Sequence, residues 1–355
     1  MSALRSIDAP SWQPPMPAGE RNYPMNCWWV AAFSDEVGEQ PLGRWLLDTP
    51  VMLYRKADGN AVALEDRCPH RAAPLSLGCR RGDAIECGYH GFTFAADGSC
   101  IRVPSMKVVS SAIRVAAYPV IESPPFVWVY LGDPEEIANV SAPPVLDWAA
   151  DEAFSVVTGR MDIAANYMLL KENVLDLTHF GFVHASTFGI TDWVDPPAVT
   201  FTDETVTYSQ RFAASPLPPL FAEALGLPPG TPYDRENYGS FLSPALQIAA
   251  VDFKAPGADA LTGRFRISHA TTPIDAGSMH YFWVLGRDHG RTPALIEKLE
   301  AVTKIGFAED ERIIEAVQRV MSRDRRPARE TSVKADKAGI QARRIVQRWM
   351  DRESG

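Results

Sequence analysis

The sequence predicts an α+β chain of two domains, an all-β domain followed by a mixed one. Three observations carry this. From about Tyr23 to Gly132, short β-rich runs (WLLDTPVMLYR, AVALED, GFTFA, FVWVYLG) are broken by Gly and Pro, and KADGN and AADGS are hairpin signals. A Pro-rich stretch, NVSAPPVLDWAADEA, then reads as a linker. Beyond it come a helical stretch near 162–180, alternating segments such as AVTFTDETVTYSQRF and GRFRISHATTP, and a long helix near 293–322. The expected domains are therefore 1–145 and 146–355, with residues 1–20 as a Pro-rich arm.

The 355 residues are comfortable for two domains, and 46% hydrophobic with 22% charged residues is ordinary for a globular protein. The net charge of −9 argues against nucleic acid, because phosphate binding needs a Lys/Arg excess to displace counterions. The C-terminal arginines (Arg323, Arg325, Arg326, then Arg343, Arg344, Arg348) sit among acids and read as solvated helix faces. No run has the apolar length of a membrane span, and the N-terminus lacks a signal-peptide core. Five cysteines, Cys27, Cys68, Cys79, Cys87 and Cys100, are an odd number that does not suit a disulfide framework. The simplest setting is a reducing cytoplasm, with cysteine available for metal.

Two hooks in the first domain use it. Cys68-Pro69-His70 is followed, after sixteen residues, by Cys87-Gly88-Tyr89-His90. Each hook offers one thiolate and one imidazole on a tight loop. Thiolates suit iron–sulfur iron, and two imidazoles in place of two thiolates raise the reduction potential, as in a Rieske centre. Gly78, Gly82, Gly88 and Gly91 allow close backbone approach. A structural Cys2His2 zinc is the alternative, although zinc fingers pair Cys with Cys and His with His. Cys79 and Cys100 read as packed small hydrophobes.

The second domain holds a denser cluster, Asn173-Val174-Leu175-Asp176-Leu177-Thr178-His179-Phe180-Gly181-Phe182-Val183-His184. In a helix, Asn173, Asp176 and His179 share one side. His184 lies five residues after His179, about 140° round, so the chain must bend or leave the helix near Gly181 for both imidazoles to face one metal. Helical zinc pairs are spaced i, i+4, which argues against a zinc protease. Two His and one carboxylate on one face suit a non-haem Fe(II) site. The long helix offers the carboxylate. Leu295, Leu299, Val302, Gly306, Asp310, Ile313, Val317 and Val320 follow a 3–4 rhythm, which places Asp310 inside an apolar stripe where it needs a cation. Glu309, about 100° away on the helix, is the alternative, and a surface acid pair is the bland reading.

Together these residues resemble the Rieske non-haem iron aromatic oxygenases, and more narrowly the oxygenase components of the vanillate and dicamba O-demethylase type. The resemblance covers nearly the whole chain, through NYPMNCWWVAA, LLDTPVMLYR, ALEDRCPHRAAPLSLG, CGYHGFTF, YPVIESPPFVWVYLGDPE, NVLDLTHFGFVH and FAEDERIIEAVQ. It implies an N-terminal Rieske domain whose [2Fe–2S] cluster is held by Cys68, His70, Cys87 and His90. It implies a helix-grip (START-like) catalytic domain, a curved antiparallel sheet around the long helix, with mononuclear Fe(II) on His179, His184 and Asp310. Asp176 would bridge the two metal sites, and Asn173 would sit beside the iron. The cluster and iron of one subunit would be too far apart for fast transfer. A head-to-tail homotrimer would let His90 of one chain reach Asp176 and His179 of the next.

The implied activity is that of a terminal monooxygenase. It would use O2, and electrons from NAD(P)H delivered by a separate flavin and iron–sulfur reductase or ferredoxin. No GxGxxG fingerprint is present for direct nicotinamide binding. The expected reaction is oxidative O-demethylation of a methoxy-aromatic compound with release of formaldehyde. N-dealkylation, methyl hydroxylation and ring hydroxylation use the same scaffold, and a Rieske electron carrier is the reading from another class. SFLSPALQIAA and His269 are candidate pocket positions, whereas Trp283 and Phe282 read as core. No isolated Arg stands out to bind a substrate carboxylate, which leaves uncharged or bulkier aromatics open.

Overall fold

Short strands dominate the first part of the chain because Gly- and Asp-containing turns interrupt its β-branched and aromatic runs. In chain order, β1 (Trp28–Phe33), β2 (Leu42–Leu46), β3 (Thr49–Arg55), β4 (Ala61–Glu65), β5 (Cys79–Arg81), β6 (Ala84–Glu86), β7 (Thr93–Phe94), β8 (Cys100–Arg102), β9 (Ala117–Tyr118), β10 (Val120–Ser123) and β11 (Phe126–Tyr130) build one compact unit. That unit comprises Met25–Leu146 and the short segment Thr272–Asp275. Its antiparallel sheets run β1-β11-β10, β2-β3-β4-β9 and β5-β6-β7-β8. A core of Met52, Tyr54, Leu64, Leu75, Ile85 and Phe94 encloses Cys68 and Cys87. The structure, a computed structural model, describes residues 21–188, 190, 195–324, 326 and 330–353. The N-terminal arm and Arg325 lie outside the described residues.

The second unit takes the chain from Asp147 to Thr271 and again from Ala276 onward. It contains α1 (Asp147–Ala150), β12 (Ser155–Ile163), α2 (Tyr167–Leu175), α3 (Phe180–Val183), β13 (Ala198–Phe201), β14 (Val206–Pro216), α4 (Pro219–Ala224), β15 (Pro232–Phe241), β16 (Leu246–Lys254), β17 (Gly263–Asp275), β18 (Ser278–Arg287), α5 (Pro293–Arg323) and α6 (Lys337–Arg352). The strands form one seven-stranded sheet in the order β13-β14-β15-β16-β17-β18-β12. Along β15, Tyr233, Arg235, Asn237, Gly239 and Phe241 are buried and the residues between them are not, the period of a strand with one covered face. The long helix α5 supplies the cover. Its Phe307 ring meets Trp283 at 5.4 Å, Tyr281 at 5.5 Å and His269 at 6.0 Å between centroids. The α+β expectation, with strands, sheet and long helix in that order, is met.

Four details differ from the sequence reading. The helix expected near 162–180 begins only at Tyr167, where Asn166 Oδ1 caps it by accepting from Met168 N at 2.9 Å, and residues up to Ile163 are strand. It ends at Leu175, because Asp176 takes an extended conformation (φ −125°, ψ 95°). The chain thus breaks first at Asp176; Gly181 itself stays inside α3, and the chain leaves that helix after Val183, with His184 outside helical geometry (φ −106°, ψ 21°). On α5 the buried line is Leu299, Thr303, Gly306, Phe307, Asp310, Ile314 and Gln318, whereas Ile313, Val317 and Val320 are exposed. Apolar residues lie on both sides of this helix beyond Asp310, and the 3–4 rhythm followed the wrong one. Arg343 is not a solvated face residue: it donates to the Glu172 carboxylate of α2 and leaves little of its side chain exposed.

Candidate functional site

In the N-terminal unit the two hooks have the same closure. Ala72 N donates to Cys68 O at 2.9 Å, and Gly91 N to Cys87 O at 3.0 Å. Cys68 N donates to Ala73 O at 2.9 Å, and Cys87 N to Phe92 O at 2.7 Å. Each turn needs a left-handed residue four places after its cysteine, Ala72 at φ 54° and Gly91 at φ 71°. The hooks also lie close to neighbouring backbone: a Cβ on Gly78 would sit 2.1 Å from Glu86 O, and one on Gly88 2.7 Å from Leu77 O.

This geometry puts both thiols in the core and both imidazoles at the surface. The His70 and His90 rings are 4.4 Å apart between centroids, and His70 stacks on Phe92 at 4.9 Å. Burial pushes the Cys68 thiol up to about 11, against the backbone N–H groups of His70 and Arg71. A thiolate there needs a metal to stabilise it. Among the described residues, one group of three or more potential donors has its atoms all within 4.8 Å, and it is not this one. Two buried thiols paired with two exposed imidazoles offer the mixed donor set of a [2Fe–2S] cluster with one iron on Cys and the other on His. Cys100 is buried, as expected of a packing residue, and Cys79 is half-buried with its Sγ 4.0 Å from Glu86 Oε1.

The close group is His179, His184 and Asp310, in the second unit. Asp176 starts it. Its carboxylate accepts from Thr178 N at 2.9 Å and Thr178 Oγ1 at 2.6 Å, which nucleates a new turn at residue 177. That turn places His179 Nδ1 2.6 Å from Asp176 O. A carbonyl only accepts, so Nδ1 carries the proton and Nε2 presents a lone pair. On His184, Nδ1 lies 2.8 Å from Glu309 Oε2 and is likewise the nitrogen that donates, here to a carboxylate oxygen. Thr187 Oγ1 fixes the other Glu309 oxygen at 2.6 Å.

Both Nε2 atoms are then buried without a hydrogen-bond partner. Both face Asp310 Oδ1, at 3.5 Å from His179 and 3.2 Å from His184. Three lone pairs turned toward one another repel unless a cation lies between them. Burial lowers the proton affinity of His179, with Asp310 opposing. Burial also acts on His184, but there Asp310 and Glu309 outweigh it and raise its affinity. Asn173 Nδ2 donates to Asp310 Oδ1 at 3.0 Å and steadies the carboxylate. The donor set, two neutral imidazoles and one carboxylate with open positions, suits non-haem Fe(II). Sequence reasoning left Glu309 and Asp310 as alternatives; the geometry gives Asp310 to the donor group and Glu309 to the far side of His184.

The group forms part of the wall of an apolar cavity, the concave, mostly apolar kind of site that small molecules occupy. Phe180, Phe188, Phe265, Ile267, Leu285 and Phe307 supply its walls. His269, Ala249 and Ala250 line it as the sequence suggested, and Trp283 and Phe282 are core. Sequence reasoning missed Phe188, Tyr208 and Asn237. The signal for Asn237 was available, a polar residue at an inward position of an alternating strand. Phe188 depends on Gly306: a Cβ there would lie 2.4 Å from the Phe188 ring. His269 Nδ1 lies 2.7 Å from the Tyr281 hydroxyl, and burial brings its pKa down to about 3, so it is a neutral wall.

Comparison with known proteins agrees with both halves of this description. Residues 27–119 match the Rieske [2Fe-2S] domain, and residues 163–352 match the vanillate O-demethylase oxygenase C-terminal domain. The chain is 31% identical over 347 residues to the vanillate O-demethylase oxygenase subunit of Pseudomonas sp. (strain HR199 / DSM 7063), covering 93% of this chain and 96% of that one. It is 31% identical over 337 residues to the oxygenase component of dicamba O-demethylase from Stenotrophomonas maltophilia, covering 91% and 96%. The crystal structure of dicamba monooxygenase bound to dicamba superposes with a TM-score of 0.84 at 29% identity, over 93% of this chain and 98% of that one.

Proposed function

Because this chain belongs to the Rieske non-haem iron oxygenases of the vanillate O-demethylase type, we propose that it is the terminal oxygenase of a demethylating monooxygenase. Its substrate is a methoxy-aromatic compound, and its products are the phenol and formaldehyde. The observation that carries this reading is the convergence of His179, His184 and Asp310 in the wall of an apolar cavity. An electron carrier would need neither.

In this reading the buried Cys68 and Cys87 and the exposed His70 and His90 would hold a [2Fe–2S] cluster. His179, His184 and Asp310 hold Fe(II). The cluster supplies single electrons and the mononuclear iron supplies O2-dependent oxidation of a C–H bond. The chain's own residues do the rest. Glu309 and the Asp176 carbonyl fix the two imidazoles in the tautomer that presents Nε2. Asn173 holds the carboxylate, and the aromatic walls exclude water and orient the ring. Hydroxylation of the methyl carbon leaves a hemiacetal, whose C–O bond breaks as its hydroxyl loses a proton and the phenol oxygen gains one. O2 delivers one atom to the product and one to water, with two electrons and two protons from the reductant.

The electrons come from a separate NAD(P)H-dependent reductase or ferredoxin, and the working assembly is a head-to-tail homotrimer. The exposed His90 of one subunit meets Asp176 of the next. Among the described residues no helix is long and apolar enough to cross a membrane, which is compatible with a cytoplasmic enzyme.

The test is the iron and acid-labile sulfide content of anaerobically purified protein, wild type and His179→Ala. The expected result is close to three irons and two sulfides, falling to two irons in the variant with the visible spectrum intact. Two irons in the wild type and no loss in the variant would return the chain to the electron carriers. With a reductase supplied, formaldehyde separates demethylation from ring hydroxylation.

A further inference from the structure

On the sheet wall of the cavity, on other elements than those that carry His179, His184 and Asp310, two polar groups have nothing to bind. Tyr208 on β14 and Asn237 on β15 both line the cavity, and each is at least nine-tenths buried. The Tyr208 hydroxyl and Asn237 Oδ1 have no hydrogen-bond partner among the described residues. They are diagonal neighbours on one face of the sheet, since Tyr208 pairs with Gly239 and Asn237 with Gln210. A Cβ on Gly239 would fall 2.6 Å from the Tyr208 hydroxyl, so the glycine lets the phenol lie flat across β15. Two unpartnered polar groups, side by side on an otherwise apolar wall, are costly unless a ligand completes them.

The charge of that ligand follows from what is missing. No Lys or Arg is among the described lining residues, and Asp310 is the sole carboxylate. The nearby buried cations are engaged elsewhere. Lys171 Nζ sits 5.6 Å over the Phe241 ring, and the Arg235 guanidinium sits 4.4 Å over Phe212 and donates to Ser215 Oγ at 3.4 Å. A carboxylate or sulfonate brought to the Tyr208 end would lose its water without gaining a counter-ion.

We propose that the Tyr208–Asn237 pair makes this cavity selective for an uncharged methoxy-aromatic substrate carrying an amide, carbonyl or hydroxyl group opposite the reacting methyl. The phenol donates and the Asn237 amide accepts or donates, so a neutral group with both capacities fits best. This rests on the reading of the cavity as the substrate site of a demethylase.

The test is binding to the anaerobic, iron-loaded holoenzyme, measured by calorimetry with three matched probes: 3-methoxybenzamide, 3-methoxybenzoate and methoxybenzene. The amide is expected to bind at least about tenfold tighter than the benzoate. Tyr208→Phe and Asn237→Leu are each expected to weaken the amide about tenfold and leave methoxybenzene unchanged, a split that a merely structural role would not give. Benzoate binding as tightly as the amide, no binding of the amide, or variants that weaken methoxybenzene equally would overturn the proposal. Turnover with a reductase separates the two readings. If the amide binds with this pattern but yields no formaldehyde, the demethylase reading fails and the selectivity stands. If formaldehyde comes preferentially from the benzoate, the selectivity fails and the demethylase reading stands.

Discussion

Glu309 and Asp310, consecutive on α5, face opposite nitrogens of one imidazole: Glu309 Oε2 lies 2.8 Å from His184 Nδ1, and Asp310 Oδ1 lies 3.2 Å from its Nε2. The hundred-degree step between neighbours on a helix lets one helix grip the ring from both sides. In the proposed site one carboxylate would be a metal donor and the other would set the tautomer. Glu309→Gln should therefore lower Fe(II) affinity by about 10–100-fold and leave the cluster spectrum unchanged. Asp310→Ala should abolish mononuclear iron outright. Fe(II) titration of the protein stripped of mononuclear iron distinguishes them; equal losses would show that both acids are donors.

Gly306 should be intolerant of a side chain for a reason that reaches the substrate. Its Cβ would meet the Phe188 ring at 2.4 Å, and Phe188 lies 4.8 Å from His184 between centroids. Gly306→Ala is expected to push Phe188 into the cavity and raise KM roughly tenfold, about 1.4 kcal/mol of binding. The Gly306→Ala/Phe188→Leu double variant should recover most of it. Failure of that rescue would place the defect in α5 itself.

His269 makes the catalytic unit sensitive to acid. Its folded pKa is about 3, because burial disfavours the imidazolium, against about 6.5 for an exposed histidine. The neutral form is the one the fold holds, so its contribution to stability is complete above about pH 6.5. It is lost as pH falls toward 3, by up to about 1.4 kcal/mol per pH unit in that window. Urea midpoints at pH 7 and pH 5 should differ more for wild type than for His269→Gln. Equal pH dependence would mean that another group carries the acid limb.

The cluster loops should fail independently of the iron site. Gly78→Ala drives a Cβ to 2.1 Å from the Glu86 carbonyl oxygen, which is backbone and cannot swing aside. The expected outcome is loss of visible absorbance and labile sulfide with one iron per chain retained. Loss of all iron would tie the two centres together in folding.

Much of the site was legible because its chemistry is dense in sequence. Cys68, His70, Cys87 and His90 sit in two short hooks whose mixed pairing points to iron–sulfur chemistry, and Asn173 to His184 fall in one stretch. What spacing could not give was direction. The choice between Glu309 and Asp310 needed the position of His184, more than a hundred residues earlier. The break at Asp176 depended on its own carboxylate capping the next turn by accepting from Thr178 N, whereas the glycine at 181 was tolerated inside α3. Beyond Asp310, α5 is apolar on two sides, so periodicity alone chose the exposed one. Arg343 looked like a solvated residue because its partner, Glu172, is remote in sequence.

His184 and Asp310 stand at the two ends of the chain segment that contains β13 to β18. An ion bonded to both is, in polymer terms, a removable cross-link around most of the catalytic sheet. By the chain-entropy argument used for disulfides, closing a loop of about 125 residues is worth roughly 5 kcal/mol, less any strain in the fold. Iron loss in air would then cut a tether as well as silence a catalyst. Metal-depleted protein would be the first in a population to be unfolded, proteolysed and cleared, so that the surviving chains would be enriched in the loaded form.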